Sequence, residues 1–245
     1  MYSNAYIYRY AGIMVILVAA ILSAAATLLK PLQQRNEAVD KMQSILTAAG
    51  FEGIDAKNAI EMFNKSVTNM IVIDNEGNVV DNYEGEGKEN SSAFKVNLKE
   101  ELYKKSVSRP FQLPLYVVSK NGQKIYIIPL RGIGLWGPVW GNIALKDDFK
   151  TVVGVAFGHK AETPGLGAEI ETPIFEDQFP GKTIFDENGN FVSIGVIKGG
   201  VVNMPVNRQS HLVDAISGGT ITSNGVGDML QNVLESYEPF FKKQG

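Results

Sequence analysis

The residues best placed to do chemistry lie in three glycine-rich segments of the C-terminal half. Asp214-Ala-Ile-Ser-Gly-Gly-Thr-Ile-Thr-Ser223 precedes Val226, Met229, Leu230, Val233, Leu234 and Tyr237, which recur at i, i+3, i+4, i+7, i+8 and i+11. That spacing predicts an amphipathic C-terminal helix with Thr222 or Ser223 as its N-cap. A hydroxyl-rich turn feeding a helix N-terminus favours phosphate, because free amides and the helix dipole point at it. An ordinary capped turn carries the same pattern. Gly158-His-Lys-Ala-Glu-Thr-Pro-Gly-Leu-Gly167 closes a predicted strand. Glu162, Thr163 and the backbone around Gly165–Gly167 offer donors and acceptors where no side chain blocks a ligand. His159 and Glu162 have the types of an acid–base pair, but no nucleophile accompanies them, so a positioned turn is the more economical reading.

The remaining segment, Arg131-Gly-Ile-Gly-Leu-Trp-Gly137 followed by Pro138-Val-Trp-Gly141, matches G-x-G-x-x-G after a predicted strand. A dinucleotide fingerprint must open a helix, and Pro138, Trp140 and Gly141 open none. What is left is a loop presenting Trp136 and Trp140, the two tryptophans of the chain, either to a planar apolar ligand or to the core. Gly181-Lys-Thr183 has Glu176 where a phosphate-binding loop needs its upstream glycine, so nucleoside triphosphate binding is not supported.

Composition narrows the chemistry. A net charge of -3 over 245 residues gives no electrostatic footprint for nucleic acid. The absence of cysteine excludes disulfides, thiolate zinc, iron–sulfur ligation and a thiol nucleophile. His159 and His211 are the two imidazoles, too few for a multi-histidine metal site, and no metal site is expected. Redox work would need an organic cofactor.

These segments require elements to hold them. Tyr10–Leu29 is free of charge and, as a helix, spans about 30 Å, the thickness of a bilayer core. Arg9 and Lys30 bracket it, Pro31 is expected to stop it, and Tyr6, Tyr8 and Tyr10 would sit at an interface. Ser23–Ala26 could serve a signal peptidase, but the apolar run is longer than a typical signal-peptide core, which favours a retained single-pass anchor over residues 1–31. Ala19, Ser23 and Thr27 would let a second transmembrane helix approach. Lys30, Arg35 and Lys41 after the span faintly favour a cytoplasmic domain, a rule that long domains override.

Residues 32–110 read as a helical and strand part. It has helical pieces around Val39–Ala49 and Ala59–Phe63, a hairpin through Asn75–Asn78, an exposed loop over 81–92 and a helix near 97–106. Residues 111–245 hold all three glycine-rich segments. There Leu115–Lys120, Asn121-Gly122 and Lys124–Leu130 give the strongest hairpin signal of the chain. Further strands are expected at Thr151–Gly158 and Phe191–Lys198, with a short helix near 168–178. The fold class is α+β, one N-terminal transmembrane helix plus a domain of mixed or antiparallel sheet with packed helices.

Together the three segments resemble a known family. Asp214-Ala-Ile-Ser-Gly-Gly-Thr220 is similar to the flavinylation motif D-x-x-[ST]-x-[AG]-T, whose last threonine takes FMN through a phosphoester bond. The other two segments resemble the remaining hallmark loops of the FMN-binding domain in the NqrC family, which belongs to the bacterial sodium-translocating NADH:quinone oxidoreductases. The resemblance keeps the family's motif order and covers essentially the whole chain. The related flavin-bearing component of the ferredoxin:NAD ion-translocating complex is similar at the threonine and at Glu162–Gly167, and less so around Arg131–Gly141. Gly219 stands where the family more often has alanine.

The resemblance implies that residues 111–245 are an FMN-binding domain and that Thr220 is the covalent attachment site. Asp214 and Ser217 would be recognised by a flavin transferase using FAD and magnesium, and Asp214 would assist deprotonation of Thr220. Gly218, Gly219, Thr222 and Ser223 would lie along the phosphate. Trp136, Gly137, Glu162, Thr163, Leu166 and Gly167 would surround the flavin, with Lys198 stabilising its reduced anionic form. It also implies one electron-carrying subunit of a six-subunit, inner-membrane NADH:quinone reductase that exports sodium, inactive alone, with its soluble domain periplasmic. A membrane-anchored flavin-binding or sensory module without redox turnover is the alternative of a different class.

Overall fold

The computed structural model describes residues 3–244, which divide into two compact units, one ending at Lys41 and the other beginning at Met42. The first unit is the body of a single helix, α1 (Asn4–Ala48). It is long and apolar enough to cross a membrane, with a mean hydropathy of 2.6 over its most apolar stretch. Pro31 lies inside this helix and does not stop it, contrary to the sequence expectation. Proline removes one ladder hydrogen bond, but in a chain otherwise built of strong helix formers the turns on either side continue.

In the second unit, the last turns of α1 bury Met42, Ile45 and Leu46, the apolar face read from sequence. There follow α2 (Ala59–Ser66), β1 (Val67–Asp74), β2 (Val79–Tyr83), α3 (Ser92–Lys95), α4 (Leu98–Ser106), β3 (Gln112–Lys120) and β4 (Gln123–Ile133). Then come β5 (Pro138–Leu145), β6 (Val152–His159), α5 (Pro173–Glu176), β7 (Gly195–Ile197), α6 (Val206–Gln209), β8 (Leu212–Asp214) and α7 (Thr220–Gln244). Six strands form one antiparallel sheet in the order β2-β1-β3-β4-β5-β6, and β7 and β8 make a separate parallel pair. Strand β1 pairs along most of its length with β3, so residues before and after 110 share one sheet.

Strand β3 is buried over six successive positions because both faces of the sheet are covered. One face receives α7, whose Val226, Met229, Leu230, Val233, Leu234 and Tyr237 enter the main core with Leu115, Leu130 and Ile143. The Tyr237 hydroxyl donates to the Pro114 carbonyl at 2.6 Å, which satisfies a polar group in that core. On the edge strand, Gly154 leaves room for the Ala48 carbonyl, only 2.6 Å from where a Cβ would stand. Ser44 accepts a hydrogen bond from the Asn142 side chain at 2.8 Å.

Several expectations change in detail. The loop expected over 81–92 holds the end of β2, a short 3-10 turn and two buried residues, Lys88 and Ser91. The strand expected over 191–198 shortens to β7, and the helix near 168–178 is a 3-10 turn followed by α5. Strand β5 was not anticipated. Its Pro138, Gly141 and central Asn142 mask the strand pattern, and its partners β4 and β6 define it.

Candidate functional site

Helix α7 begins at Thr220, three residues before the latest expected cap. Its first internal bond runs from the Ser223 amide to the Gly219 carbonyl at 2.9 Å, which leaves the amides of Thr220, Ile221 and Thr222 without an intrahelical acceptor. The turn before the helix is fixed by Gly218, at φ +78°, and by the Gly219 amide donating to Ile216. A Cβ on Gly218 would lie 2.6 Å from the Leu166 side chain, and one on Gly219 2.9 Å from the Leu166 carbonyl. Thus Leu166 of the second segment sits directly on the turn of the third.

Glu162 joins all three segments. Its carboxylate accepts the Trp136 amide at 2.8 Å on Oε1 and the Thr222 hydroxyl at 2.6 Å on Oε2. Its own amide donates to His159 Nδ1 at 3.2 Å, which leaves the imidazole proton on Nε2, facing Glu171 at 3.5 Å. Glu162 is buried at 5% exposure, yet its carboxylate bonds to protein groups on both oxygens. The close approach needs glycines. A Cβ on Gly134 or Gly167 would stand 2.6 Å or 2.5 Å from a Glu162 oxygen.

Arg131–Gly141 is the β4–β5 hairpin, closed by Ile133 opposite Pro138 and by the Gly134 amide donating to Gly137 at 2.8 Å. The hairpin leans on α7 through Gly225, where a Cβ would collide with the Ile133 carbonyl. Both tryptophans are at the surface: Trp136 is 65% exposed at the tip, and Trp140, 40% exposed, lays its indole against Gly158. The alternative of two core tryptophans is thereby excluded.

The residues named from sequence divide into two groups. Thr220 is half-buried at the helix start, Ser217, Gly218 and Leu166 are exposed at its turn, and Thr163 and Trp136 are exposed, one following Glu162 in the chain and the other bonded to it through its amide. Thr222 and Ser223 are buried. The Ser223 hydroxyl donates to Gly219 and accepts from the Ile216 amide, so these two hydroxyls lock the turn rather than face a ligand. Asp214 accepts the Val201 amide at 2.6 Å and ties down the 199–203 loop. Lys198 is exposed just after β7, whose Ile197 carbonyl accepts the Ala215 amide at 2.7 Å. Sequence reasoning missed Gly225. A glycine inside a strong helical pattern is a detectable signal of close backbone approach.

Glu176 was also missed. Its Oε1 accepts the Phe157 amide of β6 at 2.6 Å. Burial, reinforced by the nearby Asp177 and Glu171 carboxylates, pushes its pKa up to about 7 against the lowering effect of that hydrogen bond.

Residues 134–235 match the FMN-binding domain family. The NqrC protein of the Na(+)-translocating NADH-quinone reductase of Vibrio vulnificus is 34% identical over 235 residues, covering 92% of this chain and 90% of that protein. The chain belongs to the NqrC family. Its Pseudomonas aeruginosa relative is 33% identical over 229 residues, covering 89% of this chain and 87% of its own. The crystal structure of the corresponding protein from Parabacteroides distasonis superposes with a TM-score of 0.75 at 35% identity, over 89% of this chain and 98% of that one. The matched region begins at Gly134, at the glycine-rich end of the sheet, and spans Glu162, Leu166 and Thr220.

Proposed function

We propose that this chain is the FMN-carrying, electron-relaying subunit of a membrane sodium-pumping NADH:quinone oxidoreductase, with FMN joined to Thr220 by a phosphoester bond. The observation that carries this reading is the place of Thr220. Its hydroxyl starts a 25-residue helix whose first three amides lack intrahelical acceptors, in a turn that Glu162 and Leu166 tie to both other glycine-rich segments. A phosphate on that oxygen would meet the positive end of the helix.

The surrounding residues fit the rest of the group. Leu166, Ile221 and Trp136 expose apolar surface beside the turn, at 42%, 60% and 65%, which suits a planar ring. FMN, when bound, supplies reversible electron transfer. The chain's own part is to orient it, through the Gly218–Gly219 turn, and to provide a cation, Lys198, for the reduced form. Thr222 offers its backbone amide rather than its hydroxyl, Ser223 serves by locking the turn through its amide and hydroxyl, and Asp214 acts by holding the adjoining loop. An unaided threonine hydroxyl is a poor nucleophile, so a flavin transferase supplied with FAD and magnesium belongs to the reading. Helix α1 would anchor the protein among membrane partners, with residues 1–31 as the anchor and the soluble domain on the periplasmic side.

Co-expression with a flavin transferase, followed by intact mass and in-gel flavin fluorescence under denaturing conditions, tests the assignment. The expected result is a gain of one FMN less one water, lost entirely in Thr220→Ala. An unmodified chain beside a demonstrably active transferase would overturn it. Reversible reductive titration of the loaded protein separates an electron carrier from a flavin module without turnover.

A further inference from the structure

One well-formed cavity lies apart from Thr220. It is a groove of about 970 Å³ between α4, the base of the β4–β5 hairpin and the middle of α7. Four cations line it, Lys99 and Lys105 from α4, Arg131 from β4 and Lys160 just after β6, against one carboxylate, Asp228. The chain as a whole carries -3, so this concentration of positive charge is local. Lys105 is already held by the Asn232 carbonyl at 2.7 Å and by Glu235 at 3.2 Å. Lys99, Arg131 and Lys160 make no ion pair among the described residues, and Arg131 is half-buried. A partly desolvated guanidinium without an anion is a cost that an incoming carboxylate would relieve.

We infer that this groove receives an acidic, extended segment of a protein partner. Leu102, Met229 and Val233 give it an apolar floor between the charges, which suits a chain carrying both carboxylates and apolar side chains. A compact phosphate compound is recognised by converging amides at a helix start. Here the cations come from separate elements, and the α7 wall, Gly225–Val233, is mid-helix with its amides already bonded. A flat lipid surface cannot follow cations into a concavity. That wall is about 12 Å long, the span of roughly four extended residues.

Gly132 and Gly137 line the groove and belong to the hairpin whose tip carries Trp136, so an occupant is delivered next to the candidate flavin site. Small, charge-steered contacts of this kind are typical of electron-transfer encounters. That the partner exchanges electrons rests on the proposed function, whereas the binding does not.

The test is anisotropy of a labelled oligoglutamate peptide with the full-length chain in detergent, at about 20 and about 200 mM salt. Binding should weaken with salt. It should fall about tenfold or more in the combined Lys99→Glu, Arg131→Glu and Lys160→Glu variant, and stay unchanged in the Lys57→Glu control. Should the triple variant lose its native tryptophan emission, Arg131→Gln with Lys160→Gln decides, with a smaller loss in the same direction. Equal binding by Thr220→Ala separates this result from the flavin reading. Absence of binding, an equal loss in Lys57→Glu, or variant-sensitive binding of pyrophosphate or phosphatidylserine vesicles in place of the peptide would each overturn the inference.

Discussion

Strand β4 is bounded by two glycine-bearing hairpin turns that are held by opposite means. At its start, Asn121 and Gly122 both adopt left-handed backbone, φ +52° and +80°, and a Cβ on Gly122 would meet nothing within 4 Å. Backbone conformation alone calls for glycine there. At its end, Gly134 needs no positive φ, yet its absent Cβ leaves room for the Glu162 carboxylate, and Trp136 donates its amide to the same group. The first turn is a local solution. The second is held by residues far along the chain, and it is the end where the match to the FMN-binding domain family begins.

The comparison breaks most visibly at Gly167, which belongs to the long-range end and has an ordinary φ. Alanine is therefore tolerated by the backbone but would place its methyl 2.5 Å from both Glu162 Oε2 and Thr222 Oγ1. Overpacking and disruption of a buried hydrogen bond together should cost about 2–4 kcal/mol. Because both tryptophans lie in the β4–β5 hairpin, their emission reports on that end alone. Gly167→Ala should shift tryptophan emission and lower the melting temperature of the flavin-free chain. An unchanged spectrum would mean that Glu162 does not couple the segments.

Acidity sharpens the same contrast, since the glycine end also depends on Glu176. This carboxyl caps the Phe157 amide, and Phe157 pairs with Gly141 of the hairpin. Its folded pKa of about 7 lies above the ordinary value of 4.5, so between those values the native state binds more protons than the unfolded one. The contribution of Glu176 to stability is then fully present below the unfolded pKa and is lost as pH rises through about 7. Glu176→Gln keeps an acceptor for Phe157 and should flatten that slope, with a gain on the order of 2 kcal/mol above pH 7. Denaturant titrations across this range decide the matter, and parallel slopes in both proteins would refute it.

The contrast between the turns also explains what could be read from sequence. Asn121-Gly122, the apolar stripe of α7 and the charge-free run from Tyr10 to Leu29 are local patterns, and each stands where its pattern put it. Strand β5 was hidden and the start of α7 displaced because Gly141 and Gly219 make room for distant partners, the Ala156 and Leu166 carbonyls, rather than for their own neighbours. The candidate site was legible as three segments but not as one place. Nothing in the spacing of Trp136, Glu162 and Thr222 states that one carboxylate bonds to both others. For the same reason Thr222 and Ser223 looked like ligand contacts, although tertiary structure uses their hydroxyls internally.

The smallest expected effect belongs to the local turn. Gly122→Ala introduces a methyl into open space but forces a left-handed φ on alanine, at a cost of about 1 kcal/mol. For a domain of this size that lowers the melting temperature by roughly 2–4 °C. Tryptophan emission and the proposed flavin attachment at Thr220 should not move, because no hydrogen bond among the described residues links this turn to Glu162. The result depends on the turn being closed by its own backbone, so a spectral change as large as that of Gly167→Ala would show that strain passes along β4. The two ends would then form one cooperative unit, and the glycine end could no longer be treated as an independently held site.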